Sequence, residues 1–576
     1  MNLPAPQALL QGCDLPLAWA GQSAWRILDA SFQGGENFLA TLAAWRLDTR
    51  RPRMLHYVGM AGIAPAGPLG RPLQIEGQVL NAATGFQRLS FDDGRVLLTF
   101  CVDGLGANLR EQAFLADSIF LNANPKQEQP PAWDMWTAKS LTRCCRRGTL
   151  LAGMDLPGDQ TQTLLAAGFE SHRQPGARLW MARFNPRWEP KTARNPLATA
   201  SLSARHCVVV GAGLAGASAA HALARRGWQV TVLDALDTPA GGASSLPVGL
   251  MAVHRSRDDS PRSRLSRSGV RLTLEQARQC LVRGQDWDLS GVMELRPGEP
   301  AQWHEQAAWI KPARLVERWL KTPGVTFQGG QCVAAISRRD ADWVLSDKLG
   351  KTLATAPVVV FAAAMGCQPL LNQLGCSGLE LKGIPGQMSW AMQRAADSVA
   401  LPGHPLNGQG TFLPQTPMDG GLAWFAGATF ETGDGHESAV LSCDDGGAFA
   451  ALTARAAAGL AGVTAAGHQA NFERLLSLHP PSAALLADQF KSGHVKSWRH
   501  VRCTTRDRLP LVGPLLAAKL DKRVDPKNPT LWINTALGSR GLSLCVLAAE
   551  LLAARLGGEP LPIPASLALC IDFRRK

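Results

Sequence analysis

Gly211, Gly213 and Gly216 stand in G-x-G-x-x-G spacing, and Asp234 follows them after a helix-forming run and a second apolar segment (HCVVVGAGLAGASAAHALARRGWQVTVLD, 206–234). The chemistry this spacing suits is dinucleotide binding. The first glycine permits a tight turn, the second lets backbone approach a pyrophosphate, and the third packs helix on strand. The helix N-terminus offers unpaired N–H groups and a positive dipole end, and Asp234 would accept hydrogen bonds from a ribose diol. A second glycine-rich turn, Gly538-Ser539-Arg540-Gly541-Leu542, precedes an apolar helix near the end of the chain. It repeats the anion-stabilising helix N-terminus, and in many flavoenzymes such a helix points at the pyrimidine edge of the ring, which favours FAD over NAD. The small-residue loop Ala240-Gly241-Gly242-Ala243-Ser244-Ser245 can lie against the same cofactor, with Ser244 and Ser245 as its polar contacts.

These turns need a parallel sheet to hold them. Residues 207–210 and 229–233 read as its first two strands, flanking a helix that ends at Gly227. Residues 356–364 (APVVVFAAA) read as a further buried strand and 530–537 (TLWINTAL) as the strand before the second turn. Between them, 303–320 reads as helix, 258–278 as an arginine-dense helix that is either a solvated face or RNA-facing, and 387–430 as strands of an inserted antiparallel substrate-binding sheet. The first 190 residues carry a separate α/β pattern. Strands are expected at 25–32, 54–58, 96–102, 118–121 and 148–153, a helix at 37–46, and a closing hairpin at 169–173 and 178–184. That pattern makes a mostly parallel sheet with an antiparallel edge. Residues 185–205 are rich in Pro, Ser, Thr and basic residues without periodicity. The division expected is a methyltransferase-like Rossmann domain over 1–190, a linker over 191–205 and an FAD-binding Rossmann domain over 206–576.

The 576 residues suffice for two or more domains, and the formal charge of +13 suggests a polyanionic partner such as RNA. The N-terminus has no basic start and two early prolines, and no run of apolar residues is long enough to cross a membrane, so a cytoplasmic protein without membrane contact is expected. The thirteen cysteines include no C-x-x-C pair; reduced thiols and no metal are expected.

With these motifs in view, the chain resembles the MnmC family of bifunctional tRNA wobble-uridine enzymes over nearly its whole length. The segments that carry the likeness are RCTTRDRLPLVG (502–513), TALGSRGL (535–542), KGIPGQMSW (382–390) and NPKQEQPPAWDMW (124–136). The resemblance implies that the C-terminal domain uses FAD to remove the carboxymethyl group of 5-carboxymethylaminomethyl-(2-thio)uridine, and that the N-terminal domain methylates the resulting amine from S-adenosyl-L-methionine. A carboxymethyl amine is a tethered glycine. Its oxidation needs orientation and a cation for the carboxylate rather than a protein nucleophile, and Arg502, Arg506 and Arg540 are the candidates. The single tyrosine, Tyr57, lies in the other domain and excludes a tyrosine-lined pocket. An alternative keeps the oxidase but makes its substrate a free amino acid such as glycine or sarcosine, with a non-catalytic N-terminal binding module.

The N-terminal half departs from the family. Its turn, G-F-G-T-G-L-N-F-L in relatives, is here Ser31-Phe32-Gln33-Gly34-Gly35-Glu36-Asn37-Phe38-Leu39. The next strand ends in Gly59-Met60 without an acid for the ribose, and Asn122 stands in place of an aspartate. The domain is therefore expected to fold while binding the methyl donor poorly, with Glu36 as the one local acid that could compensate.

Overall fold

The computed structural model describes residues 4–32, 34–62, 73–80, 85–123, 133–171, 178–190, 205–376, 379–394, 400–430, 465–515 and 529–575. They form two compact units, one of Met1–Ser203 with Ala553–Cys570, the other of Ala204–Leu552 with Ile571–Lys576.

The first unit is built on strands β1 (Ala24–Asp29), β2 (Met54–Ala61), β3 (Gly85–Phe91), β4 (Val96–Val102), β5 (Ala116–Asn122), β6 (Cys145–Met154), β7 (Phe169–Glu170) and β8 (Leu179–Phe184). Their order is β3-β4-β2-β1-β5-β6-β8-β7. The five central strands β4, β2, β1, β5 and β6 run parallel, and antiparallel partners close both edges. Side chains alternate along β2: Leu55 and Tyr57 enter one core with Phe38 and Trp45, while Val58 and Met60 enter another with Leu28 and Trp180. Covered on both faces, the strand reads as a continuous apolar run. Helix α1 (Glu36–Leu47) follows β1.

Residues 553–570 complete this unit. Arg26 Nη2 donates to the Gly557 carbonyl at 3.1 Å, Arg88 Nη2 to the Pro560 carbonyl at 2.5 Å, and Gln112 exchanges hydrogen bonds of 3.0 and 3.3 Å with the Leu561 backbone. Glu111 accepts from the Ala565 and Ser566 N–H groups. The expected C-terminal domain runs from 206 to 576; by contacts, residues 553–570 within that span group with the first unit, and sequence periodicity carries no record of such a return crossing. Of the expected linker 191–205, all but Arg205 lies outside the described residues.

The two largest sheets of the second unit are drawn from β9 (His206–Val210), β10 (Gln229–Leu233), β11 (Val292–Glu294), β12 (Gln302–His304), β13 (Val325–Gln328), β14 (Val358–Phe361), β15 (Lys382–Met392), β16 (Leu406–Asn407), β17 (Thr411–Met418), β18 (Gly421–Gly427), β19 (Lys496–Thr504), β20 (Leu511–Pro514) and β21 (Leu531–Thr535). The order β13-β10-β9-β14-β21-β20 makes a parallel sheet with one antiparallel edge strand, β20. The order β12-β11-β16-β17-β18-β15-β19 makes the antiparallel sheet, in which only β11 and β16 run parallel. This is the α/β class expected, with the antiparallel sheet inserted between segments of the parallel one. Helices α2 (Leu214–Arg225), α3 (Pro261–Cys280) and α4 (Gly541–Gly557) complete the frame of the site. The expected helix at 303–320 is three elements instead: β12, a strand at Ala308–Ile310 and a helix at Pro312–Leu320. Pro312 at the first helical turn sets the helix start, and Ala308, Trp309 and Ile310 pair in a small sheet with Gly249–Met251 and Trp287–Asp288.

Candidate cofactor and substrate site

At the carboxyl end of β9 the chain turns through Gly211, whose φ is +109°; a Cβ there would stand 2.6 Å from the Ala362 carbonyl oxygen, so only glycine fits. Gly216 sits where α2 crosses this turn, and a side chain on it would strike the Gly211 carbonyl. Gly213 caps α2 in extended backbone, and the nearest atom to a Cβ there is Ser244 Oγ at 3.1 Å. Ser244 Oγ accepts from the Leu214 N–H at 3.0 Å, so a residue thirty positions away caps the helix. Ser245 Oγ accepts from Trp498 Nε1 at 2.8 Å, which ties the same loop to β19 of the antiparallel sheet.

Asp234 ends β10. Its Oδ2 accepts from the Ala212 N–H at 2.6 Å and its Oδ1 from the Leu236 N–H at 2.9 Å. The carboxylate therefore braces the glycine turn and keeps lone pairs for a further donor. Burial raises its pKa, against those two backbone hydrogen bonds.

The second turn comes to the same place. Gly538 has φ +59°, Gly541 opens α4, and a Cβ on Gly541 would lie 3.1 Å from Leu214 Cδ1 at the start of α2. Asn534 Nδ2 donates to the Ala215 carbonyl at 2.9 Å and Ser218 Oγ to the Cys545 carbonyl at 3.1 Å, fixing the two helix starts side by side. Two positive dipole ends, separated by more than three hundred residues, thus converge. Ser539 is exposed. Leu542 is buried, its side chain directed at Gly249, and its carbonyl accepts from Thr273 Oγ1 at 2.8 Å.

The three expected arginines have different surroundings. Arg502, on β19, is buried; its Nη1 donates to the Thr429 carbonyl at 3.0 Å and its guanidinium lies 4.7 Å from the Phe430 ring centroid. Arg506 is exposed in the turn after β19. Arg540 is half-buried in the second glycine turn, and its side chain makes no hydrogen bond or ion pair with a described residue. Burial and then the field of Arg262 lower its pKa, against Glu294.

Sequence reading missed the groups around Arg540. His254 Nδ1 is 3.0 Å from Ser263 Oγ, and burial followed by Arg540, Arg262 and Arg296 depresses the imidazole below its usual 6.5. Glu294 lies 2.8 Å from His304 Nε2 and 3.0 Å from Arg296 Nη2. Burial opposes these bonds, but they hold the Glu294 carboxyl below its usual value. No motif marks these residues, since they come from β11, β12 and the approach to α3. The site thus combines two convergent helix N-termini with a cationic patch held close to an imidazole whose pKa is depressed.

In the first unit, the turn after β1 is organised around Asp29. The carboxylate accepts from the Ser31 N–H (3.0 Å), Ser31 Oγ (3.2 Å), Asn37 Nδ2 (3.1 Å) and Tyr57 Oη (2.7 Å). Burial raises its pKa despite these four donors. The Phe32 ring covers Gly59 near the end of β2, and the Glu36 carboxylate covers Gly34. Gln33 and 124–132 of the NPKQEQPPAWDMW segment lie outside the described residues. Among the described residues no group of three or more His, Cys, Asp or Glu could hold a metal ion.

The family model for FAD dependent oxidoreductases (DAO) matches residues 206–302 and 273–555. The tRNA 5-methylaminomethyl-2-thiouridine biosynthesis bifunctional protein MnmC of Albidiferax ferrireducens is 44% identical over 99% of this chain and 96% of its own length. The protein of the same name from Polaromonas naphthalenivorans is 39% identical over 97% and 91%. Among solved structures, glycine oxidase from Geobacillus kaustophilus is 18% identical, with a TM-score of 0.45, over 62% of this chain and 95% of that one.

Proposed function

The chain belongs to the MnmC family of bifunctional tRNA 5-methylaminomethyl-2-thiouridine biosynthesis proteins, and on that premise we propose that its second unit oxidises the carboxymethylaminomethyl arm of a tRNA wobble uridine. The observation that carries the reading is the convergence of the α2 and α4 N-termini on a cradle where Gly213 presents backbone without a Cβ. That cradle fits FAD. Gly211, Gly213 and Gly216 would admit the pyrophosphate, Asp234 the ribose, Ser244 and Ser245 would shape the loop beside it, and Gly538, Ser539, Gly541 and Leu542 would set the second helix start against the ring. FAD supplies the acceptor for the two electrons and the hydrogen lost from the carbon between carboxylate and amine; water opening the resulting C=N bond leaves the aminomethyl base and glyoxylate.

The chain's own residues then have three tasks. Arg540, a cation without a carboxylate partner among the described residues, would hold the substrate carboxylate and so fix which C–H bond is presented. Neutral His254 adds no repulsion toward a free amine. Leu246 and, after the second turn, Leu542 pack against Gly249 and would limit water on that side of the site. The partner is tRNA, and a cytoplasmic location follows from that substrate; among the described residues no helix is long and apolar enough to cross a membrane. The test is mass analysis of wobble nucleosides after incubation of the full chain with carboxymethylaminomethyl-tRNA. Aminomethyl-uridine with stoichiometric glyoxylate is expected, and turnover of free glycine or sarcosine with no change in the tRNA would defeat the proposal.

The family name covers a methylation for which S-adenosyl-L-methionine is the donor, and the first unit has the sheet for it. Its turn does not fit that donor. Asp29 is saturated by internal donors, Phe32 and Glu36 occupy the space above Gly59 and Gly34, and β2 ends in Gly59-Met60-Ala61 with no acid for a ribose. We derive no methyl transfer from it. Calorimetry of the full chain with S-adenosyl-L-methionine is expected to show no binding in the micromolar range; a micromolar isotherm would mean that the turn opens.

A further inference from the structure

Arginine-dense α3 is the segment that charge alone nominates as an RNA surface, yet the structure uses much of its charge internally. Arg267 pairs with Asp259 at 2.5 Å, Arg271 is largely buried beside Glu275, and Arg262 Nη2 donates to the Asp507 carbonyl at 3.3 Å. The last contact leads to the turn between β19 and β20. There Thr505 Oγ1 lies 2.6 Å from Asp507 Oδ1 and 2.7 Å from the Leu509 carbonyl. The Leu509 N–H donates to Asp507 Oδ1 at 3.0 Å. Arg575 clamps the turn from the chain's end, with Nε on Asp507 Oδ2 at 2.8 Å, Nη2 on Oδ1 at 2.9 Å and Nη1 on the Pro510 carbonyl at 2.5 Å.

The carboxylate inside the turn is thus neutralised, while Arg506 and Arg508 on either side of it are exposed and form no side-chain hydrogen bond or ion pair with a described residue. Gly538 lies against Thr504, a Cβ on it falling 3.5 Å from Thr504 Oγ1, so this turn borders the one that carries Arg540. Two exposed cations on a braced backbone, beside a site for a small anionic arm, suit a phosphate chain that carries the arm. An ordinary solvated surface leaves its acids free to pair with its bases; here the acid is already taken.

We propose that Arg506 and Arg508 hold the phosphodiester backbone of the RNA next to the nucleotide whose side arm reaches Arg540. The assignment rests on the tRNA reading above. It moves Arg506 from the carboxylate to the backbone of the same substrate.

The test is equilibrium binding of tRNA to the full flavin-loaded protein across a salt series. Each phosphate contact on a single strand contributes about 0.7 to the slope of log K against log salt, so R506A/R508A should lower that slope by roughly 1.4 and weaken binding roughly tenfold or more at low salt. R506K/R508K, which keeps two point charges, should restore the slope, and unchanged flavin absorbance and melting would show that both variants fold. A slope identical in wild type and R506A/R508A overturns this assignment while leaving the tRNA reading in place. A wild-type protein with no salt-dependent affinity for tRNA overturns both.

Discussion

Gly213→Val yields folded, colourless protein. Gly213 has φ −81° and ψ −172°, extended backbone that valine adopts without strain. Its neighbours differ. A side chain at Gly211 meets the Ala362–Ala363 backbone, and one at Gly216 meets the Gly211 carbonyl, so those substitutions would break the sheet and its helix contact along with any binding. At Gly213 an added Cβ meets only Ser244 among the described residues, and the rest of the side chain would enter the space in front of α2. Displacing Ser244 from the Leu214 N–H costs about 1 kcal/mol, as loss of a helix cap usually does, and shifts melting by roughly 2–4 °C. The pyrophosphate loses its approach to the backbone altogether. Visible absorbance of the purified variant, with its far-ultraviolet circular dichroism as the folding control, decides the matter; retained flavin would show that the dinucleotide lies elsewhere.

Arg540→Ala is expected to slow flavin reduction by carboxymethylaminomethyl-tRNA by roughly 10²- to 10³-fold at saturating tRNA, the equivalent of about 3–4 kcal/mol for removing one partner of a desolvated charge pair. Arg540 is half-buried, feels the Glu294 carboxylate, and makes no ion pair with a described residue, so its hydrogen-bonding capacity is left for the substrate. Arg502 is the contrasting case: it already donates to Thr429 and lies over Phe430. Arg540→Lys should recover part of the rate, because it keeps the charge but not the two-pronged geometry. His254 provides a second readout. Arg540 is one of the cations that depress its pKa, so in Arg540→Ala the imidazole should titrate at higher pH than in wild type. A loss smaller than about tenfold at Arg540 would move the anchor to Arg502 or to a residue outside the three.

Much of the frame was legible in the sequence because it depends on local rules. β9 and β10 and the helix between them follow from an apolar run, a glycine turn and a second run, and β4 was readable from VLLTFCV alone. β3 was missed for a physical reason. In GFQRLSF, Arg88 interrupts the apolar pattern, and it is tolerated because its guanidinium donates to Thr99 and to Pro560, a residue 472 positions away. The cationic surroundings of Arg540 were hidden in the same way. His254, Glu294 and His304 are unremarkable in the chain, and they meet Arg262 of the arginine-dense segment only through the pairing of β11 with β12 and the start of α3. Short-range chemistry could be read, whereas charges that neutralise one another across hundreds of residues could not.

The return of residues 553–570 to the first unit also sets the timetable of synthesis. Domains usually fold in the order in which they leave the ribosome. Here the first unit still awaits partners for Arg26, Arg88, Glu111 and Gln112 until residues 553–570 have been translated, after the whole of 204–552. Truncation before residue 553 would therefore leave the first unit unfinished, and a gene fission placed at the linker would separate it from residues 553–570.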